Sequence, residues 1–473
     1  MNGYRGFRKI LFELYFATMP LHAWLIRGRA TRRAYLNLKA SEFIGAEELR
    51  DLQLVRLREI LQHAFSTSDY YRKTFLNLGL HPNDISDLNQ LSKLPFLSKD
   101  DVRENINAGL LSSAISRKHL HKISTSGSTG QPFTIYADRE QLEIRFASTL
   151  RSLEWTGWRF GDRQARLWHQ TIGMKWSQVV REKMDALLMQ RLFVPAFEIS
   201  PDNIEEFINQ IRRHNPVLID GYAESLNFLA TYLRQDGSPG FRPAAVMSSA
   251  QALPATTRKV IEEGLGTQVF DKYGSREFSG IAYECAAHTY HHVIDECYIV
   301  ELLVEGRPAR PGEIGEVVIT DLFNRATPMI RYRIGDLAVA VEQRPCSCGR
   351  SHSMIGDIEG RTQAVVHCAD GTWLPGTFFA HFFKDYESTI RFFQIEQKHK
   401  GVFKLRIVKS ATFSSQDMVN IEQKLRRFTG ETKIELEFVQ SIPLVRTGKR
   451  SPVVSTVPID FQTLSAPPNR PVR

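Results

Sequence analysis

Along this chain, short β-type apolar runs alternate with longer stretches of helical spacing. Leu49, Leu52, Leu57, Ile60, Leu61 and Ala64 recur at three- and four-residue intervals, which predicts an amphipathic helix over Ala46–Phe65. Tyr70, Tyr71 and Phe75 extend that apolar face as core candidates. Ser98, followed three residues later by Asp101, predicts a capped helix start. Between about residues 120 and 340 the strand-like runs are His121–Ser124, Val217–Ile219, Ala245–Met247 and Gln268–Phe270. Helical stretches over Ala223–Arg234 and Ala255–Glu263 separate the last three. That alternation predicts parallel βαβ units, whose ligands sit at the carboxyl ends of the strands. Glu316–Thr320 and Leu337–Val341 predict a smaller β-rich layer, and a break is expected around Gly356–Arg361. Phe403–Ile407, Met418–Phe428 and Lys433–Phe438 then read as strand, helix and strand of a compact α+β unit. The Pro-rich stretch Thr456–Arg473 predicts a loose tail.

Composition narrows the class. Of 473 residues, 42% are hydrophobic and 24% charged, which fits a soluble globular protein and excludes collagen, coiled coil and disorder. The net charge of +9 points to an anionic partner. It is concentrated, however: residues 1–40 hold eight basic residues against Glu13 alone, and the other 433 carry only +2. No nucleic-acid-binding motif accompanies the charge, so nucleic acid is not an expected partner. Ile10–Ile26 is apolar but only 17 residues long, and Glu13, Pro20 and His22 interrupt it. That is short for a membrane span, and no small-residue cleavage site follows. Two readings remain. In one, the segment lies on a membrane surface, with Phe, Leu and Trp24 among headgroups and arginines outside. In the other, it is a helix that caps the main domain. Five cysteines make no disulfide framework, which implies a reducing, cytoplasmic compartment, with the inner face of the membrane as the variant.

The strongest local signal is Ser124-Thr125-Ser126-Gly127-Ser128-Thr129-Gly130, seven consecutive Gly, Ser or Thr residues after a predicted strand. Glycines let backbone approach an anion, and hydroxyls with amide N–H groups can cradle phosphate oxygens. No Lys follows Gly130, so this is not the common P-loop.

The loop resembles the phosphate-binding signature of the adenylate-forming (AMP-binding) superfamily, in its phenylacetate–CoA ligase-like and capsule-biosynthesis branch. The resemblance runs from about residue 46 to 452, with further motifs in the expected order. Ser248-Ser249-Ala250-Gln251-Ala252-Leu253-Pro254 resembles the adenine-side turn, and Tyr273-Gly274-Ser275-Arg276-Glu277 the YGxTE-type motif. Tyr332-Arg333-Ile334-Gly335-Asp336 resembles YRxGD, Gly360-Arg361 the hinge-proximal GR, and Pro443–Lys449 the loop of the mobile lysine. The implied fold is α/β: a large N-terminal adenylate-forming domain with parallel sheets and a small β-rich layer, plus a small mobile α+β C-terminal domain. The segments are then 1–45, basic and apolar; 46–358, AMP-binding; 359–455, mobile C-terminal; and 456–473, a flexible tail.

The resemblance implies roles as well. Ser124–Gly130 would hold the β/γ-phosphates of ATP, Ser249–Gln251 would lie on the adenine side, and Tyr273 would stack on the base. Glu277 would coordinate Mg²⁺, Asp336 would take both ribose hydroxyls, Arg361 would sit near ribose and phosphate, and Lys449 would reach the α-phosphate and carboxylate. The plain readings are that Asp336 is a turn residue, Glu277 a surface acid, Lys449 a solvated cation and Arg361 an interdomain ion-pair partner. Three positions depart from the family: Arg276 replaces a hydroxyl residue, Gln131 a lysine and Gln363 an acidic hinge residue. Trp168, His169, Tyr222 and Ala223 are candidates for the acyl pocket.

Cys285, His288, His291 and His292 lie upstream of Cys346-Ser347-Cys348-Gly349-Arg350, and the branch often carries a similar set. Cys285, His292, Cys346 and Cys348 supply the donors that tetrahedral Zn²⁺ accepts, with His291 and His288 as substitutes for His292. The plain alternative is a group of reduced, buried thiols. Cys297 and Cys368 read as core residues. The function implied is ATP-dependent activation of a carboxylic acid, with transfer to CoA. Transfer to a sugar or amine, or a catalytically weak scaffold at a membrane surface, are the alternatives. The acid and the oligomeric state are not legible.

Overall fold

The computed structural model describes residues 7–22, 30–125, 133–168, 176–195, 204–236, 241–361, 365–370, 373–375, 378–379, 382–383, 386, 389–442 and 452–457. The chain divides into two compact units. The first comprises Met1–Val300, Val318–Ile334 and Glu342–Gly356; the second comprises Glu301–Val317, Gly335–Val341 and Asp357–Arg473.

The first unit is organised by strands β1 (His121–Thr125), β2 (Phe133–Ala137), β3 (Gln164–Trp168), β4 (Arg191–Pro195), β5 (Leu218–Tyr222), β6 (Ala245–Ser249), β7 (Val269–Ser275), β8 (Ser279–Glu284) and β9 (His291–Val293). β1 and β2 form an antiparallel pair, with Ser124 opposite Thr134. The remaining seven are neighbours in the order β9-β8-β7-β6-β5-β3-β4. β4, β3, β5, β6 and β7 run parallel, whereas β7-β8-β9 are antiparallel. β5 and β6 are buried along their whole length. Their successive apolar residues Leu218, Ile219, Ala245, Val246 and Met247 are all buried, since a strand covered on both faces has no solvent side. Ile204–His214, Ala223–Asp236 and Ala255–Leu265 contribute Ile208, Leu226, Leu229 and Ile261 to this core.

The helix expected from residue 46 runs over Ala46–Thr67, and Leu49, Leu57, Ile60, Leu61 and Ala64 are its buried face. Ser98 caps Lys99–Asn105 in a reciprocal box with Asp101. Two expectations are corrected. β7 does not stop at Phe270 but continues through Tyr273 to Ser275, because its next partner, β8, lies antiparallel across a three-residue turn. The division between the two units falls at Gly356, inside the expected break, but the backbone there is a continuous strand, Met354–Arg361. Gly360 takes φ 104 near the end of this strand, a backbone conformation that favours glycine.

The N-terminal segment forms two helices, Phe7–His22 and Ala30–Ala40. Phe12, Tyr15 and Phe16 are buried, and the Phe12 and Tyr15 rings lie 5.5 Å and 5.0 Å from that of Phe160. The Tyr15 hydroxyl donates to Asp185 at 2.7 Å, and Arg8 pairs with Asp162. Lys39 pairs with Glu154 at 3.1 Å. The aromatic face is thus packed against the first unit itself. Trp24 lies outside the described residues. Among those residues, no helix is long and apolar enough to cross a membrane.

In the second unit, Lys433–Phe438, Val402–Lys409, Ile390–His399 and Val453–Ser455 form a four-stranded sheet in that order. The helix Ser415–Thr429 covers it with Ile421 and Leu425, and Phe379, Phe383, Ile395, Phe403 and Leu405 complete the core.

Candidate active site and metal centre

Three chemically loaded turns stand at the carboxyl ends of parallel strands. β5 ends at Tyr222, β6 at Ser249 and β7 at Ser275, and their neighbour β3 ends at Trp168. The Trp168 and Tyr222 rings are stacked, with centroids 4.2 Å apart and planes 11° from parallel. Arg166 lies over Trp168 at 4.6 Å and pairs with Asp220 at 3.1 Å. Burial pushes the Tyr222 phenol above its ordinary value, with Arg166 and Arg276 opposing. Arg276 is therefore close enough to act on this aromatic wall. His169 lies outside the described residues.

After β6 the chain turns at Ala250, which adopts φ 66. A left-handed Ala costs about 1 kcal/mol or more, a strain typical of a turn whose shape serves a site. Gln251 fixes the turn by accepting the Glu224 amide at 3.1 Å. Ser249 is buried.

The Tyr273–Glu277 motif crosses from the end of β7 into the hairpin turn. A Cβ on Gly274 would lie 2.0 Å from the Ser279 carbonyl oxygen, so only glycine permits this approach of the two strands. The ladder shifts register between Tyr273 and Gly274. Ser275 accepts the Phe278 amide at 3.2 Å and closes the turn. Tyr273 and Glu277 are buried and Arg276 is exposed. Burial removes the surface-acid reading of Glu277. Arg145, which sequence inspection missed, donates to the carbonyls of Arg276 at 2.9 Å and Glu277 at 3.0 Å. It sits on the helix Arg139–Leu153 and stiffens the turn from beneath. Nothing in its local sequence separates it from the solvated arginines of an ordinary helix.

Ser124 shares a 3.1 Å hydrogen bond with Thr134, one pair from the end at which the loop leaves β1. Thr125 is the last residue of β1. Ser126, Gly127, Ser128, Thr129, Gly130 and Gln131 lie outside the described residues, as do Gln363 and Lys449. In the second unit, Asp336 is buried on the strand Tyr332–Ala340, directly after Gly335 at φ 83, and is not a turn residue. Arg361 ends the strand Met354–Arg361.

The structure brings together the four metal-donor candidates. The ligand atoms of Cys285, His292, Cys346 and Cys348 all lie within 4.8 Å of one another. The Sγ atoms of Cys285 and Cys346 are 3.7 Å apart, and Cys348 Sγ is 3.5 Å from His292 Nε2. A tetrahedron with metal–sulfur bonds of about 2.3 Å and metal–nitrogen bonds of about 2.0 Å has edges of about 3.8 Å and 3.5 Å. A disulfide would need about 2.05 Å, and all five cysteines are free. Cys285 directly follows β8, His292 lies in β9, and the Cys346–Gly349 turn supplies the other two. Burial, with His352 and Arg350 nearby, lowers the His292 imidazole to about 4, so it is neutral, as a ligand must be. The substitutes are engaged elsewhere: His291 Nε2 meets Asp271 at 3.1 Å and His288 Nδ1 meets Glu284 at 3.4 Å. Cys297 and Cys368 are buried in the core.

Beside this cluster lies a second feature invisible in the sequence. Arg151 and Glu296 form a fully buried ion pair at 2.5 Å. Arg151 also donates to the Leu38 carbonyl at 3.0 Å, and Glu296 also takes Ser41 at 2.7 Å and His352 at 3.0 Å. Burial alone would raise the Glu296 carboxyl; Arg151 and His352 outweigh it and hold the group well below its ordinary value.

Residues 367–456 match the CapK C-terminal domain family. The chain is 28% identical over 336 residues to the phenylacetate–coenzyme A ligase of Thermus thermophilus, covering 69% of this chain and 73% of that one. It is 22% identical over 439 residues to protein CapK of Staphylococcus aureus, covering 91% and 94%. Among solved structures, a 2-hydroxyisobutyryl-CoA ligase in the postadenylation state, in complex with 2-HIB-AMP, is similar with a TM-score of 0.70. Identity there is 19%, over 88% of this chain and 91% of that one, which establishes the shared fold.

Proposed function

Because the chain belongs to the adenylate-forming (AMP-binding) superfamily, in its phenylacetate–CoA ligase-like and capsule-related branch, we propose that it activates a carboxylic acid with ATP and passes the acyl group to coenzyme A. The observation that carries this is the order of the strand ends: the adenine-side turn and the Tyr273–Glu277 turn follow adjacent parallel strands β6 and β7. Ligands of open α/β sheets bind at such ends.

In the first step a carboxylate oxygen attacks the α-phosphorus and pyrophosphate leaves. In the second a thiol sulfur, losing its proton, attacks the acyl carbon and AMP leaves. Positioning and charge neutralisation dominate both steps. Ser124–Gly130 would hold the phosphates, Ser249–Gln251 and Tyr273 the base, Asp336 the ribose, and Arg361 and Lys449 the charge that builds near the α-phosphate. Glu277, a buried carboxylate, suits Mg²⁺, which would neutralise the phosphates. Gly274, Ser275 and Arg145 keep the turn that presents Glu277. Arg276 stands where a hydroxyl would contact phosphate and offers a guanidinium instead, a fork suited to phosphate oxygens.

The Cys285, His292, Cys346 and Cys348 set would hold a structural Zn²⁺, because the donor types and spacings fit a closed tetrahedral site. We place the protein in the cytoplasm, where such thiols stay reduced. One variant keeps the same first step: the acyl acceptor is a sugar or amine instead of CoA. Contact of residues 1–40 with anionic membrane would rest on the basic residues of that segment and on Ile10 and Leu14, which remain exposed.

ATP–pyrophosphate exchange with a panel of carboxylic acids tests the reading. At least one acid should support exchange, and Lys449→Ala should reduce it about 100- to 1000-fold without changing the unfolding midpoint. No exchange with any acid, together with an inert Lys449→Ala, would overturn it. CoA, amino sugars and amines added to the preformed adenylate distinguish the acceptors. Elemental analysis should find close to one zinc per chain.

A further inference from the structure

Away from the strand ends, the helices Ala30–Ala40 and Arg139–Leu153 enclose a cleft of about 770 Å³. Its walls are two helix faces. Ala30, Arg33, Ala34, Asn37 and Leu38 follow helical spacing on one side, and Arg139, Glu140, Glu143 and Ile144 on the other; Arg56 and Phe323 complete the lining. The volume is in the range of small-molecule sites, roughly 300–1,000 Å³.

The lining is divided by polarity. Leu38 and Ile144 are buried, and with Phe323, Ala30 and Ala34 they offer an apolar floor. The charged groups are unequal. Glu143 is taken up by Arg139 at 3.1 Å, and Glu140 lies 3.9 Å from Arg325. Arg33 has no ion-pair partner among the described residues, and neither does Arg56. Arg56 is held in place: it donates to the Glu296 carbonyl and lies over the Phe323 ring at 4.9 Å. Among the described residues, two guanidiniums are thus left without carboxylates above an apolar floor.

From this arrangement we propose that the cleft binds an anionic amphiphile: a phosphate or carboxylate head on an aliphatic chain. Arg33 and Arg56 take the head, and Leu38, Ile144 and Phe323 take the start of the chain. A guanidinium pairs with phosphate or carboxylate through two parallel N–H donors, whereas an apolar floor gives nothing to a free inorganic anion. The head group can belong to a soluble amphiphile or to a lipid in a bilayer, and the chemistry of recognition is the same.

Calorimetric titration of the full chain with decyl phosphate, kept below its micelle concentration, tests the site. Binding should saturate at one molecule per chain. Inorganic phosphate and decanol, each supplying half of the chemistry, should bind about tenfold more weakly or less. Arg33→Ala should weaken decyl phosphate binding about tenfold, and Ile144→Asp similarly. Arg33 is exposed, so its substitution leaves the fold intact and keeps the test decisive if Ile144→Asp fails to fold. Arg103→Ala, on another helix and paired with Asp100, should change nothing. Flotation with phosphatidylglycerol vesicles separates the sources: capture that depends on Arg33 assigns the head to a bilayer lipid, and no capture with retained decyl phosphate binding assigns a soluble ligand. Absence of saturable decyl phosphate binding, or binding indifferent to Arg33→Ala, would overturn the proposal.

Discussion

The cysteine–histidine cluster and the strand-end turns are built in opposite ways. The cluster draws four side chains from segments far apart in the chain and fixes them between paired strands and a tight turn. The strand ends carry contiguous motifs on turns, with one strained residue, Ala250, and one obligatory glycine, Gly274, shaping the backbone. A closed set of donors stabilises by being complete. A cleft must keep its donors available for a substrate that comes and goes. Changes in the first region should therefore act on stability, and changes in the second on rate.

The largest separation is expected from Cys285→Ser. Bound metal should fall from near one to below about 0.1 per chain, and urea unfolding should show a loss of more than about 5 kcal/mol, since a structural metal's binding energy is folding energy. Adenylation per folded molecule should survive. Equal loss of rate and stability would erase the distinction. Next is Glu296→Ala, which leaves Arg151 charged and buried. Breaking such a pair costs about 3–5 kcal/mol, read from the urea midpoint. Arg145→Met probes the boundary between the two regions. It removes two charged hydrogen bonds from the Arg276 and Glu277 carbonyls but none from substrate, so exchange should fall about tenfold with about 1–2 kcal/mol lost in stability. An unchanged exchange rate would remove Arg145 from the support of the site.

The smallest effect concerns pH. Burial raises Asp295 to about 6, despite hydrogen bonds from Ser353, whereas its neighbour Glu296 moves the other way. The sign follows. A raised carboxyl contributes stability fully present below its unfolded value, about 3.8, and lost as pH climbs through 6. A lowered one contributes above its unfolded value, about 4.5, and loses it as pH falls through the folded value. Asp295→Asn should flatten the decline between about pH 4 and pH 6 and add about 1 kcal/mol at pH 7, measured by urea unfolding across that range. A slope that persists would assign the titration to another group.

What could be read beforehand follows from the same contrast. Cysteine is rare and its ligand chemistry narrow, so Cys285, Cys346 and Cys348 could be grouped before any geometry was known. The motif turns were legible because glycine, serine and an acid in fixed order have few other uses. Arg145 and the Arg151–Glu296 pair were not legible, because charged residues at helical spacing ordinarily face water. Only tertiary structure brings Glu296 to Arg151 across 145 positions. The strand Met354–Arg361 was missed for a related reason: it pairs with β9 through Met354 and Ile355, a partner more than 60 positions earlier that local sequence does not reveal. The charge of the first 40 residues also changes character, since Arg8, Arg32 and Lys39 are already paired with Asp162, Glu13 and Glu154.

The seat of the first helix carries a consequence in time. Tyr15 finds its hydroxyl partner, Asp185, 170 positions later in the chain. At roughly 5–20 residues per second of synthesis, the helix waits on the order of 10–30 s for that partner to be made. Through that interval Phe12, Tyr15 and Phe16 stand in water beside unpaired arginines, and a nascent chain in that state presents the apolar, basic surface that chaperones and membranes capture. The finished protein conceals a stretch that synthesis leaves exposed until Asp185 is made.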